Sequence, residues 1–305
     1  ALPACDARCP AKETLAADDP RRTTPAIFNR IHQSDTAHQP SLAFMPYVLT
    51  GDPYYLDELV FWASHNFLSM VPAYRQLATG LFKDEQPRGQ AWSLRTLAQA
   101  AWIVPDVMQE ERAYFEAKLA ANLDWYNRNA VDSNAFGFWG EGSNVAFDSG
   151  RPQPDFAPNV RSFTSPWQVD YLMVALDYVE GLGNPAARPF RTWLARLPIA
   201  RYAGEWPRAD AVVYQIATRW IPAGCGLLAT PQTLAGCPSE FPLYASFAEM
   251  AQATFARRAA GAVNGIRAPT CAICYEANAR AALAGAVRAG LPNAQAAYDS
   301  VVAEM

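Results

Sequence analysis

The chain has 305 residues, 51% of them hydrophobic and 18% charged, with a formal net charge of −4. That is the composition of a packed globular protein, long enough for one large domain or two ordinary ones, and it excludes a disordered chain. No apolar run approaches the roughly 18 residues of a membrane span, and no basic block supplies the footprint of a nucleic-acid binder, so neither partner is expected.

Residues 1–30 are polar and carry Pro10, Pro20 and Pro25. They read as an irregular lead-in pinned by Cys5 and Cys9, or as a linker from an upstream domain of the same protein. Residues 31–305 read as a helical domain. A helix over 41–49 is ended by Thr50-Gly51-Asp52-Pro53, in which Gly stops one helix, Asp caps the next and Pro takes its first position. Residues 53–68 continue with apolar residues at helical spacing, and so short a joint makes the two helices antiparallel neighbours.

Further helices are predicted over 89–104, ended by Pro105, and over 107–128. The segment 129–165 is a long loop rich in Gly, Asn, Ser and Pro, and loops of that length in compact domains are usually functional. A helix over 166–182 is followed by Gly183-Asn184-Pro185, which repeats the earlier joint, and by a helix over 185–197. Residues 198–239 mix Pro, Gly and short apolar stretches, and helices resume at 240–262, 274–289 and 292–305. No run of alternating strand segments interrupts them. The fold class is therefore all-α, with helical hairpins in the rhythm of an (α/α) toroid. An irregular helical bundle is the alternative.

Six cysteines fall into local couples: Cys5 with Cys9, Cys225 with Cys237, and Cys271 with Cys274. An even count in close couples points to three short disulfide loops. The metal alternative has only the Cys271–Cys274 spacing behind it, with no second such pair and all three histidines (His32, His38, His65) far upstream. A redox motif would need a strand and a βαβ context, which are absent from the pattern. No metal or cofactor is expected. Disulfides and a start at Ala1, with no Met and no signal-peptide core, read as a mature or trimmed extracytoplasmic protein, secreted or periplasmic. Core packing accounts for many of the nine Trp and thirteen Tyr, and the surplus suits a sugar-binding cleft, since a flat ring offers apolar area with a polar edge.

Four stretches together resemble the helical toroid domain of large exported bacterial carbohydrate-active enzymes, of the polysaccharide lyase and glycoside hydrolase types. They are Ala37-His38-Gln39-Pro40-Ser41-Leu42-Ala43-Phe44-Met45-Pro46-Tyr47, Thr50-Gly51-Asp52-Pro53-Tyr54-Tyr55-Leu56, Arg88-Gly89-Gln90-Ala91-Trp92-Ser93-Leu94-Arg95 and Pro166-Trp167-Gln168. The resemblance spans about residues 35–200 and implies a toroid and a glycan-directed role. It matches no single characterised family and carries over no catalytic residue. A closed ring of hairpins needs more helices than are read here, so the toroid is either shortened or part of a larger protein.

Three polar clusters are the candidates for chemistry. Asp35 and His38, with Gln39, stand before the first helix, where an imidazole beside a carboxylate suits acid or base work near neutral pH; the alternative is a structural cap. Glu85 precedes Arg88, Trp92 and Arg95, whose spacings of four and three put them on one helix face. There Arg would pair with a carboxylate and Trp would stack on a sugar, or the arginines would be spent on Asp84 and Glu85. Trp167, Gln168, Asp170 and Tyr171 open the helix after the long loop. Asp170 is a candidate acid or base and Tyr171 a proton carrier, against helix-start charge complementation and core packing. The loop itself holds Phe138, Trp139, Glu141 and Asn144, with Trp139 a candidate sugar contact.

Elimination from a uronic acid requires a neutralised carboxylate, a base for the C5 proton and an acid for the leaving oxygen, for which Arg88, Arg95, His38 and Tyr171 are suited. Hydrolysis requires two carboxyl groups about 5–10 Å apart, with Asp35, Glu85, Glu141 and Asp170 available. The arginine stripe favours a lyase acting on a uronic-acid polysaccharide over a glycoside hydrolase and over a non-catalytic glycan-binding or structural domain. No GxGxxG, P-loop or GxSxG pattern supports a nucleotide-dependent enzyme or a serine hydrolase.

Overall fold

The computed structural model describes residues 36–70, 72, 75–82, 87–132, 163–204, 206, 216–217, 244–259 and 272–303. Among them lie nine α-helices: α1 Phe44–Thr50, α2 Pro53–Leu68, α3 Pro87–Ile103, α4 Gln109–Tyr126, α5 Pro166–Gly181, α6 Arg188–Tyr202, α7 Phe247–Ala259, α8 Ala272–Arg288 and α9 Ala294–Val302. The described part is therefore mostly helical. A two-residue antiparallel pairing, Phe163–Thr164 with Ile216–Ala217, is the only extended element among the described residues.

Both predicted joints form as read. Gly51 adopts φ 68° and its N–H donates to Tyr47 O at 2.8 Å, closing α1; Asp52 Oδ1 then accepts from the Tyr54 N–H at 3.0 Å, with Pro53 at the first position of α2. At the second joint Gly183 has φ 94°, Asn184 Oδ1 accepts from the Ala186 N–H at 3.2 Å, and Pro185 opens a single 3-10 turn that leads into α6. Left-handed glycine ends a helix without a Cβ clash, and the capping oxygen satisfies one of the N–H groups that the new helix leaves open.

Helix ends shift by a few residues from the sequence expectation, the largest shift at a start being α7, which begins at Phe247 and not at 240, and two differences bear on the site. α6 does not stop at residue 197 but carries Pro198 inside it and runs on to Tyr202. Proline removes one intrahelical hydrogen bond, and here the burial of Ala200, Arg201 and Tyr202 against neighbouring helices outweighs that loss. After α4, the chain does not enter a loop at 129 but continues as a π-helical stretch, Asn127–Asp132, with Asn129 Nδ2 donating to Trp125 O at 2.7 Å.

The helices pack in two layers. α3 lies against α5 and α5 against α8; on the other side α4 backs α3, α6 backs α5 and α9 backs both α8 and α6. The direction of each follows from its contacts. Arg88 of α3 meets Trp167 of α5, Trp92 meets Tyr171, and Gln99 meets Tyr178, so α3 and α5 run the same way. Tyr202, which adjoins the Asp170 end of α5, packs with Ala279 and Leu283, while Asp177 lies against Gly285 and Arg288, so α8 runs with α5 as well.

The core is continuous through these layers. Leu94, Leu97 and Ala100 of α3, Leu123 and Tyr126 of α4, Leu172 and Leu176 of α5, and Leu194 and Leu197 of α6 are all buried in it. Tyr126 stacks on Phe190 at 4.5 Å between centroids, tying α4 to α6. A smaller cluster of Tyr202, Ala279, Leu283, Ala297 and Val301 joins α6, α8 and α9. At Gly285 α8 lies tight against α5: a Cβ there would lie 3.1 Å from the Asp177 carboxyl.

Candidate functional site

The interface of α3 and α5 is polar along one seam. α3 contributes Arg88, Trp92, Arg95 and Gln99 at spacings of four, three and four; α5 contributes Trp167, Tyr171 and Tyr178 at four and seven. These are helical spacings, so each set lies on one face, and because the helices run parallel the two sets meet rung by rung. At the N-terminal rung the Arg88 guanidinium sits 5.6 Å from the Trp167 ring centre, and the Arg88 N–H donates to Gln168 Oε1 at 3.4 Å. Gln168 thus serves one of the backbone donors that the start of α3 leaves open.

At the middle rung Trp92 and Tyr171 lie 5.0 Å apart, the Arg95 guanidinium covers the Trp92 ring at 4.3 Å, and Arg95 Nη1 donates to Tyr171 Oη at 3.4 Å. At the far rung Gln99 Nε2 donates to Tyr178 Oη at 3.0 Å, and Ser41 Oγ donates to Gln99 Oε1.

The segment before α1 lies along this seam. Thr36–His38 forms one 3-10 turn packed on α3. Arg95 Nη2 donates to Gln39 O at 3.5 Å and Ser41 is held by Gln99, so Gln39 is fixed from both sides. Its side chain is buried, 7% exposed, and neither Oε1 nor Nε2 has a hydrogen-bond partner. His38, one residue earlier, is exposed.

Among the described residues the charged groups of the seam are all positive. Among the described residues no carboxylate lies within ion-pair distance of Arg88 or Arg95, and the Nε of each is buried without an acceptor. Burial pulls Arg95 below the usual guanidinium range, partly offset by the oxygens of Tyr171 and Tyr178. The Tyr171 hydroxyl is pushed up to about 12 by burial, with Arg95 pulling the other way, so it holds its proton at neutral pH. Two guanidiniums on aromatic faces, an unmet amide and a protonated phenol have the chemistry to hold an anionic group attached to a flat, partly apolar body.

Asp170 does not belong to this seam. It is fully buried on another face of α5, and Arg201 Nη1 of α6 donates to both of its oxygens at 2.9 Å. Arg201 also donates to Tyr202 Oη at 3.3 Å. Burial pushes the Asp170 carboxyl up and Arg201 pulls it back, while the guanidinium is held protonated by Asp170. A neutral Asp170 would leave the buried guanidinium unpaired, so we read the two as an ion pair that fastens α5 to α6. The acid or base role expected of Asp170 gives way to this one, because no surface of its carboxyl is open to a substrate.

Of the other expected site residues, Gln39, Arg88, Trp92, Arg95, Trp167, Gln168 and Tyr171 come together in the seam, with His38 beside Gln39. Asp35, Glu85 and Trp139 lie outside the described residues, as do Asp84, Phe138, Glu141, Asn144 and His32. Cys5, Cys9, Cys225, Cys237 and Cys271 also lie outside them, and Cys274 is described only as a backbone position in α8, so the three expected disulfides fall outside the described structure. His65 packs in α2 against Trp62 and Phe61, at 5.3 and 6.0 Å between ring centres.

Sequence reasoning missed Ser41, Gln99 and Tyr178. The signal was present: the spacing of Arg88, Trp92 and Arg95 extends by one more step of four to Gln99. Among the described residues no group of His, Cys, Asp and Glu is placed to hold a metal ion, and no helix is long and apolar enough to cross a membrane. No protein-family model, curated protein or solved structure matches the chain.

Proposed function

We propose that this chain is a carbohydrate-active enzyme domain that takes a uronic-acid polysaccharide along the α3–α5 seam and cleaves it by elimination. The observation that carries the reading is the seam itself: Arg88 and Arg95 lie on Trp167 and Trp92 without a carboxylate partner among the described residues, beside the unmet amide of Gln39. Sugar rings stack on the indoles, and the acid group of the sugar takes the place of the missing carboxylate. We read the layered hairpins, with α3, α5 and α8 parallel inside and α4, α6 and α9 outside, as an arc of an (α/α) toroid. The extracytoplasmic setting is part of the same proposal.

In the reaction the buried Gln39 amide first swings open; it and Arg95 then hold the uronate carboxylate and draw charge from it, which acidifies C5–H. His38 takes the C5 proton as its C–H bond breaks. The electron pair forms the C4–C5 double bond and expels the O4 oxygen. Tyr171, protonated at neutral pH, gives its proton to that oxygen and is reprotonated from solvent. The placement of Asp170 in a buried ion pair weighs against a hydrolase that uses it as one of two facing carboxyls.

Incubation of the full chain with acidic and neutral polysaccharides tests this, with ultraviolet absorbance and reducing ends followed in parallel. The expected result is absorbance from the new double bond with acidic polymers, lost in His38→Ala and reduced at least a hundredfold in Arg95→Ala. Reducing ends without absorbance would replace elimination by hydrolysis. Retardation on an acidic glycan without any product would leave a binding domain.

A further inference from the structure

A second cluster of cations lies away from the seam, where the 75–82 segment packs against α4. Arg75 is buried, 7% exposed, and its Nη1 donates to Leu77 O at 2.9 Å. Lys118 of α4 donates from Nζ to Ala78 O, the next carbonyl along, and its ammonium covers the Tyr114 ring at 4.8 Å. Successive carbonyls therefore hold the two cations side by side, close enough that Arg75 lowers Lys118 further after burial has lowered it. Among the described residues neither cation has a carboxylate partner, and Arg75 Nε is buried without an acceptor.

The backbone that builds this arrangement is strained. Gln76 and Leu77 have φ of 55° and 53°, successive left-handed positions that residues with a Cβ disfavour. The loop is nevertheless strapped to α4: Asn122 Nδ2 donates to Gly80 O at 3.0 Å and Asn122 Oδ1 accepts from the Phe82 N–H at 2.8 Å. Strain that the surroundings enforce is concentrated at functional sites. Here its outcome is to set two positive groups together, with Lys118 and Tyr114 half-buried at the solvent edge.

We propose that Arg75 and Lys118 form a binding site for a single oxyanion, such as a sulfate or phosphate group, distinct from the α3–α5 seam. The anion would accept from the outer edge of the Arg75 guanidinium and from the Lys118 ammonium and offset their mutual repulsion. Nothing in this assignment depends on the lyase reading, and either stands if the other fails.

The test follows thermal unfolding of the full chain as sodium sulfate replaces sodium chloride at constant ionic strength. Wild type is compared with Lys118→Gln, which keeps an N–H donor for Ala78 O but no charge, and with Arg75→Lys, which keeps the charge but loses the planar fork. The expected result is a saturable rise in Tm for wild type, with half-saturation shifted to about tenfold higher sulfate in each variant. Calorimetric titration of sulfate into the folded proteins gives the same comparison without unfolding. A rise that is unsaturable and equal in all three proteins is the general effect of an excluded salt and would overturn the site. A sulfated monosaccharide and its unsulfated parent separate the sources: tighter binding of the ester than of free sulfate marks a glycan substituent, and equal binding marks a free ion.

Discussion

A buried primary amide has donors and an acceptor to satisfy, and Gln39 satisfies neither end. Leaving each unmet costs about 1–3 kcal/mol, while removing the polar group altogether is close to neutral. Gln39→Met is therefore expected to raise stability by about 1 kcal/mol in thermal unfolding, while retention on an acidic glycan column falls. A drop in both would mean that the amide is a structural partner in the free protein. Tyr171 gives a prediction of a different kind. Its hydroxyl is raised from 10.0 to about 12, so its contribution to stability is complete below pH 10 and is lost as pH rises toward 12. Tyr171→Phe is expected to remove that share of the alkaline loss, and one of the late tyrosinate signals in an ultraviolet titration. The face bearing Arg88, Trp92 and Arg95 was legible from spacing alone, because a helix repeats every 3.6 residues. What those side chains touch was not, since their partners come from 39–41 and 167–178, distant in sequence.

Between elements, the Asp170–Arg201 pair decides how α5 and α6 close as a hairpin. Removing one partner of a buried pair costs about 3–5 kcal/mol, whereas replacing both with apolar residues is often neutral. Asp170→Asn is expected to lower stability by that amount, and Asp170→Leu combined with Arg201→Met to recover most of it with glycan cleavage intact. Cleavage lost in the refolded double variant would restore Asp170 to the chemistry. This pair was hidden from sequence because Pro198 reads as the end of a helix, and Arg201 then falls in a loop.

Gly285 supplies a second test between elements. Alanine improves helix propensity by about 1 kcal/mol, but its Cβ would press on Asp177, which Arg191 and Arg288 hold in place. Gly285→Ala is expected to yield no net gain in Tm in the wild type. In an Arg288→Ala background, where Asp177 has room to swing, the same change stabilises.

At the scale of the molecule, α3 is enclosed by α2, α4, α5 and the 36–38 turn, with residues buried on every side. α1 buries only Phe44 and exposes Leu42, Met45 and Leu49 near it. Opening free energies follow such differences in burial, so hydrogen exchange is expected to be slowest in α3 and fastest in α1. Uniform protection across both helices would contradict that ordering. The helical class and the two Gly-Asp-Pro and Gly-Asn-Pro joints were readable in the sequence because caps and breakers act locally. The layering was not, because it depends on which apolar stripes meet, and the sequence pattern leaves every hairpin free to choose its neighbour.

The shared direction of α3 and α5 has an electrostatic consequence. Each helix start carries a partial positive charge from its aligned peptide units, and parallel neighbours bring both starts to the same end, where Arg88 meets Trp167. Among the described residues this end of the seam therefore gathers positive charge, on a chain whose formal net charge is −4. On the proposed reading, an acidic glycan is expected to associate faster than a neutral one at low salt, and stopped-flow association rates that fall as salt shortens the reach of the field would check it. A neutral glycan of the same length gains nothing from it.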